Sequence, residues 1–442
     1  MCAQILYEMK LTKFIGQGVR GYLNFEINFN EDINFLIGDN GCGKTTILRL
    51  LKGLLVPSVY ELCEIDFQKV EVDLIDDDNK SIAITSSYEN QKLNLSISQN
   101  NKLIKKDNFS IDHLRFLKEN GFEPQMFDEN NNVFDIIKKK IKNPIIIYTS
   151  RLVSDQLPLY EQKVSIINGQ VVNSNSKQRF STPIERALTE IKNKVIDIVR
   201  FNTVQKNQIE YNFRTNLLSF FVNTKQPNFP TNLEEEPNRL EKYSSKLQNK
   251  SIAEFIGIDS CKMFNIVFKK AKSILKGIKS LESDSDAYQH IPQLWNDTRT
   301  NLNQCYVVID QAEKYVKEIE KLMLPITRFQ NSINTFFEKS GKKLNINEAG
   351  DIVINIDKVK KSNTIFELSS GEQQLIILLG HLVFDKYEIF IVDEPELSLH
   401  LKWQDEFVNA LQEANPNAQY IMATHAPAIV GDFENKCILC KR

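Results

Sequence analysis

No run of apolar side chains in this chain approaches the roughly 20 residues needed to cross a bilayer. The start, Met1-Cys2-Ala3-Gln4, lacks the basic segment and hydrophobic core of a secretory signal. A cytoplasmic location with no membrane partner is the expectation. An excess of one charge is lacking as well. With 55 Lys and Arg against 57 Asp and Glu, the formal net charge is −2, so any contact with nucleic acid must come from a local patch. The seven cysteines are an odd number scattered at positions 2, 42, 63, 261, 305, 437 and 440, which excludes the dense framework of a small secreted domain. Cys437 and Cys440 have zinc-like spacing, yet no second Cys or His pair lies close by in sequence to complete four ligands. Sustained heptads are missing, which excludes a very long coiled coil, and there is no convincing internal repeat or low-complexity tail.

What is present is ordinary globular composition, 42% hydrophobic and 25% charged over 442 residues, enough for a large core and roughly two to four domains. Residues 4–37 alternate in short runs, with Leu23, Phe25, Ile27 and Phe29 as the clearest example, and lead into a buried strand at Ile33 to Ile37. A helix follows from Lys44 to about Leu54. A second strand-rich region covers about 65–98, with a hairpin turn at Asp76-Asp77-Asp78-Asn79; the EF-hand pattern is absent there, and a solvated turn is favoured over calcium. Asn143-Pro144-Ile145-Ile146-Ile147-Tyr148-Thr149-Ser150-Arg151 reads as a short apolar strand ending in polar residues, with Arg151 facing either phosphate or a neighbouring subunit or simply the surface. From about 183 to 335 the pattern turns helical, with segments Ile184 to Thr203, Leu240 to Ile256, Met263 to Ile278 and Ala312 to Phe336, the last bent or ended by Pro325. Strand character resumes at Asp351 to Ile356, then a helix at Leu375 to Phe384, a buried strand at Tyr387 to Val392, a helix at Leu401 to Glu413 and a strand at Ala418 to Ala423. The alternation implies an α/β fold with a mainly parallel sheet. The expected division is 1–150 and 341–442 as two lobes of one nucleotide domain, with 151–340 a mainly helical insertion or arm.

The chemistry begins at Gly38-Asp39-Asn40-Gly41-Cys42-Gly43-Lys44-Thr45-Thr46, between strand and helix. Glycines at these positions let backbone N–H groups turn inward around phosphate oxygens, and the helix start adds its positive end. Lys44 would neutralise the β- and γ-phosphates of ATP, and the Thr45 hydroxyl would ligate Mg2+. Cys42 is a candidate for alkylation with no chemical step assigned. Asp393 suits the metal and Glu394 the attacking water, since adjacent carboxylates can divide those roles. His425, at the next strand end, would reach the γ-phosphate or position that water; His400 would shape a subunit contact. Ser369, Ser370, Gly371 and Glu372 precede a helix, and Ser369 and the backbone at Gly371 would donate to a γ-phosphate. Lys44 already approaches that phosphate in its own chain, so this run is expected to close over ATP held by a second copy, giving two composite sites by two-fold symmetry. Lys138, Lys139, Lys140 and Lys142, like Lys269, Lys270, Lys272 and Lys276, are open to phosphate contact or to plain solvation.

These residues resemble the ABC-type P-loop ATPases, in the branch containing SMC proteins, RecF and the ATPase part of overcoming-lysogenization-defect (OLD) nucleases. The resemblance covers about 8–60 and 360–432. It implies an ABC-type nucleotide-binding domain with a mixed sheet, with Gly38 to Thr46 as Walker A, Leu368 to Glu372 as signature, Asp393 and Glu394 as Walker B with its base, Ser398 to His400 as D-loop and His425 as switch histidine. Ser370 departs from the glycine of transporter signatures, and the Q-loop glutamine is open between Gln91 and Gln156. The stretch Asp393 to His400 with Trp403-Gln404 is similar to stand-alone ATPases of prokaryotic anti-phage systems (Septu, retron-associated and PARIS). That likeness implies a sensor or clamp controlling a separately encoded nuclease or toxin, with DNA, RNA or a phage protein as trigger. The chain ends 17 residues after His425, so no nuclease domain of the OLD kind is expected within it. The alternative implied by the same branch is a DNA repair or recombination ATPase.

Overall fold

The computed structural model describes residues 9–56, 59–76, 78–110, 132–141, 145–148, 165–167, 170–172, 182–222, 234–280, 286–359, 362–385 and 388–441. They form two compact units, one from residues up to 195 together with 328 onward and one from 196–327. Arg151, Gln156 and Lys142 lie outside the described residues.

The first unit holds two main sheets. β1 (Lys10–Val19), β2 (Leu23–Asn28), β4 (Lys69–Ile75), β5 (Ser81–Glu89), β6 (Lys92–Gln99) and β7 (Lys102–Ser110) form an antiparallel sheet in the order β2-β1-β4-β5-β6-β7. On β2, β4 and β5 side chains alternate between buried and more exposed positions, as Leu23, Phe25 and Ile27 do on β2, the period of a one-face-buried strand. The second sheet is parallel, in the order β15-β3-β14-β13-β8, from β3 (Ile33–Ile37), β8 (Ile145–Tyr148), β13 (Ile389–Asp393), β14 (Gln419–Ala423) and β15 (Cys437–Leu439). β13 and β14 are buried at every position, the near-continuous burial of a strand covered on both faces. Ile389, Phe390, Ile391 and Val392 are fully inaccessible, each burial stabilising by about 1.5–3 kcal/mol.

α1 (Lys44–Leu55) packs between β13 and β14 of the parallel sheet and β4 and β5 of the antiparallel one, the short α2 (Val59–Cys63) lies against α1, and α3 (Val133–Lys140) lies on β6 and β7. The β9–β10 ribbon (Ser165–Ile167, Gln170–Val172) and the β11–β12 hairpin (Lys342–Ile346, Ile352–Ile356) are separate two-stranded pairs. Gln419, buried at the start of β14, ties the sheets together. Its amide oxygen accepts from the Leu11 N–H at 2.7 Å and its amide nitrogen donates to the carbonyls of Leu11 and Asn30, both at 2.7 Å. A buried amide so paired costs little to desolvate and fixes register.

The helices that follow are α4 (Pro183–Val222), α5 (Glu236–Gln248), α6 (Lys250–Ile256), α7 (Ile258–Ser280), α8 (Asp286–Phe337), α9 (Ser370–Phe384), α10 (Leu401–Ala414) and α11 (Pro427–Val430); the division between units falls within α4 and within α8. Where one helix is expected over 240–256, two occur, because Asn249 takes an extended conformation and its side-chain oxygen accepts from the N–H groups of Ser251 and Ile252. Pro325 does not end its helix: α8 continues through it, since proline's fixed φ suits a helix and its missing donor removes a single backbone bond.

The 196–327 unit has its own core, where Leu240, Tyr243, Phe268, Trp295, Leu302 and Tyr306 cluster. The polar ends of its aromatics are satisfied. Tyr306 donates to Glu236 at 2.8 Å and Tyr243 to Asp310 at 2.6 Å.

Candidate functional site

The parallel register builds the site. Leu36 of β3 pairs with Ala423 of β14, and Ala423 with Asp393 of β13. Loop 38–43, His425 and Glu394 therefore leave three neighbouring strands at their carboxyl ends, the edge where α/β sheets gather ligand-binding groups.

The loop's shape follows from two glycines. Gly43 precedes α1 with φ 100°, a left-handed conformation, and a Cβ there would sit 2.7 Å from the Phe25 ring. Gly38 has φ 147°, and a Cβ would meet the Cys440 carbonyl at 2.6 Å. Only glycine fits either place. Lys44, buried, folds back to donate to the Gly38 carbonyl at 2.8 Å and lies 3.8 Å from the Cys42 Sγ. An ammonium held by a carbonyl at the mouth of a loop of N–H groups is ready to exchange that carbonyl for an anion.

Thr45 donates from its hydroxyl to Asp393 at 3.4 Å. Burial pushes the Asp393 carboxyl up to about 6; the Thr45 hydroxyl works against that rise, and the charges of Glu394 and Glu396 add to it. A buried carboxyl beside two further acids is poorly solvated as an anion and well placed for a cation. The hydroxyl and carboxylate are hard oxygen donors, a set that fits Mg2+ with the rest of its shell from water and phosphate.

Glu394 is held in the left-handed region, φ 51°, an unfavourable place for a side chain with a Cβ. Its N–H bonds the Ala423 carbonyl at 2.8 Å, and the 3-10 turn Pro395–Ser398 follows. This turn carries a residue whose part the sequence reading did not assign. Glu396 accepts from the buried Thr424 hydroxyl and from the His425 N–H, each at 2.8 Å, and so fixes the loop after β14 to the loop after β13. The contact spans 28 residues, and nothing local in sequence announces it; the adjacent acids of Asp393-Glu394-Pro395-Glu396 are the one available signal. The His425 side chain itself is exposed. His400 caps α10, its Nδ1 accepting from the Lys402 N–H at 3.3 Å.

Ser369 and Ser370 are exposed at the start of α9. The Ser369 hydroxyl, expected to serve phosphate, instead donates to Glu372 at 2.8 Å, and the Ser369 N–H donates to the same carboxylate at 3.0 Å. With Ser369 also accepting from the Glu372 backbone, this is a capping box. Burial raises the Glu372 carboxyl, but the bonds from Lys342, at 2.7 Å, and from Ser369 outweigh it and hold the group below the usual range. Lys342, on β11, was not singled out from sequence. Gly371, in the first turn of α9, keeps its backbone at the same helix start.

Other candidates fall away from this edge. Gln91 sits in the β5–β6 turn of the antiparallel sheet with φ 62°. The turn before Lys80 is closed by its own bonds, Asn79 N–H to the Asp76 carbonyl at 2.8 Å and Lys80 Nζ to Asp78 at 2.6 Å. Lys140 donates to Gln99 at 2.9 Å, and Lys269, Lys270, Lys272 and Lys276 are exposed along α7. Among the described residues, no helix is long and apolar enough to cross a membrane.

A family model described as an AAA ATPase domain (AAA_15) matches residues 9–430. Among curated proteins, the chain is 27% identical over 217 residues to "Retron Vc95 probable ATPase" of Vibrio cholerae serotype O1 biovar El Tor, covering 43% of this chain and 40% of that one. It is 26% identical over 96 residues to "Retron Ec83 probable ATPase" of Escherichia coli, covering 19% and 18%. The chain thus spans less than half the length of either relative. Among solved structures, an Smc head domain with an extended coiled coil bound to the C-terminal domain of ScpA, from Pyrococcus furiosus, aligns over 96% of this chain and 91% of that one, with TM-score 0.39 and 12% identity. An Smc head domain with a coiled coil and joint from Pyrococcus yayanosii aligns over 96% and 93%, with TM-score 0.36 and 13% identity.

Proposed function

The chain belongs to the AAA ATPase domain family, whose model matches residues 9–430, and from that premise we propose that it is the ATP-hydrolysing subunit of an anti-phage defence complex. In this reading two copies close on ATP, and closure or hydrolysis controls a separately encoded nuclease or toxin. The observation that carries the chemical part is the row Leu36, Ala423 and Asp393 across neighbouring parallel strands. The names of the two retron relatives support the defence role, which the fold by itself does not specify.

Loop N–H groups from Gly38 to Thr46 and the Lys44 ammonium bind and orient the phosphates. Mg2+, when bound by Thr45 and Asp393, supplies charge neutralisation at the β- and γ-phosphates. Glu394 takes the proton of the attacking water, and His425, its backbone anchored to Glu396, positions that water or the γ-phosphate. The exposed start of α9 at Ser369 to Gly371 donates to the γ-phosphate of the other copy.

The test is the mass of the full chain, alone and purified with the products of neighbouring genes, with and without ATP. Glu394→Gln is expected to bind ATP, to hydrolyse it about 10²–10⁴-fold more slowly, and to accumulate as a dimer in which the effector remains attached. A chain that binds no neighbouring product and whose turnover rises sharply with DNA ends would instead be a DNA repair ATPase.

A further inference from the structure

Glu372 is a carboxylate buried under the exposed first turn of α9. Its side chain is 6% exposed, whereas Ser369 and Ser370 beside it open to solvent. The two oxygens have different partners. One accepts from the Ser369 hydroxyl at 2.8 Å and from the Ser369 N–H at 3.0 Å; the other accepts from the Lys342 ammonium at 2.7 Å. A capping box needs no cation, since a neutral glutamine can fill the acid's position. The lysine is therefore matched to the charge of Glu372, not to the cap.

Lys342 is brought there by β11. Two residues along the strand, and so on the same face, Leu344 is buried, and its N–H and carbonyl are both bound by the buried Asn334 amide, at 2.7 and 3.0 Å. That anchor ties β11 to the end of α8 and sets the Lys342 side chain, 25% exposed, against α9.

We propose that Lys342 is a positioning residue for the serine turn: by holding Glu372, it lets the Ser369 hydroxyl exchange that carboxylate for the γ-phosphate bound by the other copy. This role rests on the proposed placing of Ser369 to Gly371 over that phosphate. A hydroxyl donates a single proton, so Ser369 cannot serve carboxylate and phosphate together. A buried anion that loses the hydroxyl and has no cation beside it is costly, which opposes the exchange. With the ammonium in place, the carboxylate keeps Lys342 and the Ser369 N–H after the hydroxyl turns away. The same positive charge offsets the repulsion between Glu372 and an approaching triphosphate. No covalent bond changes; one hydrogen bond replaces another.

Turnover and the binding of a fluorescent ATP analogue are measured on the full chain, at a temperature where urea unfolding shows every variant folded. Lys342→Met keeps most of the stem and loses the charge. It is expected to lower kcat about 10–100-fold, the loss of a charge-assisted bond. Analogue affinity, taken at protein concentrations too low for pairing, should stay within about twofold, because Lys44 and loop 38–46 are untouched. Lys342→Arg retains the charge and should keep more of kcat than Lys342→Met. The deciding variant joins Lys342→Met to Glu372→Gln. It removes the buried charge together with its partner and preserves the cap, so kcat should return to within about tenfold of the parent. A purely structural ion pair would move the urea midpoint and leave kcat of the folded Lys342→Met at the parental value; that result overturns the inference, as does a joined variant no faster than Lys342→Met. Ser370→Arg tells this role from the reading beneath it. Parental turnover in Ser370→Arg overturns the serine turn as a phosphate cap, and the role of Lys342 with it. A slow Ser370→Arg beside an unimpaired Lys342→Met overturns the role of Lys342 alone.

Discussion

Glu396 is placed to act on the proposed reaction from outside it, through the backbone of His425. Its two oxygens are spent on the Thr424 hydroxyl and the His425 N–H, so removing the carboxylate leaves a buried hydroxyl without its acceptor and frees the backbone that carries His425. Losing a charge-assisted bond of this kind costs about 1.5–3 kcal/mol, here expressed in the placement of His425. Glu396→Ala is therefore expected to lower kcat about 10–100-fold while KM for ATP moves much less, because the loop and Lys44 are untouched. Glu396→Gln, which keeps one acceptor oxygen, should recover part of kcat. A rise in KM at constant kcat would remove Glu396 from this role. The same residue marks where sequence reading stops. The pattern of loop 38–46 that suggests phosphate binding is legible because it lies in contiguous residues, as do Asp393-Glu394. The partnerships of Glu396 with Thr424, of Glu372 with Lys342 and of Gln419 with Leu11 are made by folding across 28, 30 and 408 residues, and no local pattern encodes them.

At the scale of elements, α9 carries the exposed serines and also packs tightly within the first unit. A Cβ at Gly380 would meet three side-chain atoms of Ile191, on α4, at 2.8–3.1 Å. Those atoms are the branched part of isoleucine, which has little freedom to withdraw. Gly380→Ala gains about 1 kcal/mol of helix propensity and loses about 1–3 kcal/mol to overpacking, so net destabilisation is expected in urea unfolding, relieved by adding Ile191→Ala. A more stable Gly380→Ala would show that the helices part easily. In the other unit, the bonds from Lys246 and Lys317 hold the Glu313 carboxyl down to about 2 against burial, from an ordinary 4.5. A depressed carboxyl stabilises the fold above its unfolded value and loses that contribution as pH falls through the folded one. The 196–327 unit should thus weaken progressively from pH 4.5 towards about 2. Trp295, in that unit's core, reports its unfolding once the only other tryptophan is removed by Trp403→Phe, and Glu313→Gln should flatten the dependence. Strand identity was readable at β2 from alternation and at β13 from a short continuous apolar run before Asp393. The boundaries were not, because Asn249 breaks a helix by a side-chain cap and the turns flanking Pro325 carry α8 through it.

At the scale of the molecule, one chain presents a phosphate loop on the parallel sheet and, separately, an exposed serine-rich helix start whose own bonds are already internal. If the two belong to one reaction centre only across a pair of chains, defects in them should complement. Lys44→Ala removes the cation proposed to bind phosphate. Ser370→Arg puts a bulky side chain on the exposed first turn of α9 while leaving the Ser369–Glu372 cap in place, so folding is spared the ~1 kcal/mol a lost cap costs. Each variant alone should be inactive. In a mixed dimer, one site joins the two defects and the other joins intact Lys44 to intact Ser370. Random mixing makes half the dimers heterodimers, each with one working site of two, so about a quarter of parental turnover should return by two-fold symmetry. The recovery must depend on concentration and appear only when both variants are present. Turnover by isolated single chains of the parent protein, or a Ser370→Arg variant that hydrolyses ATP normally, would place the serine-rich turn outside the reaction and dissolve the case for a shared site.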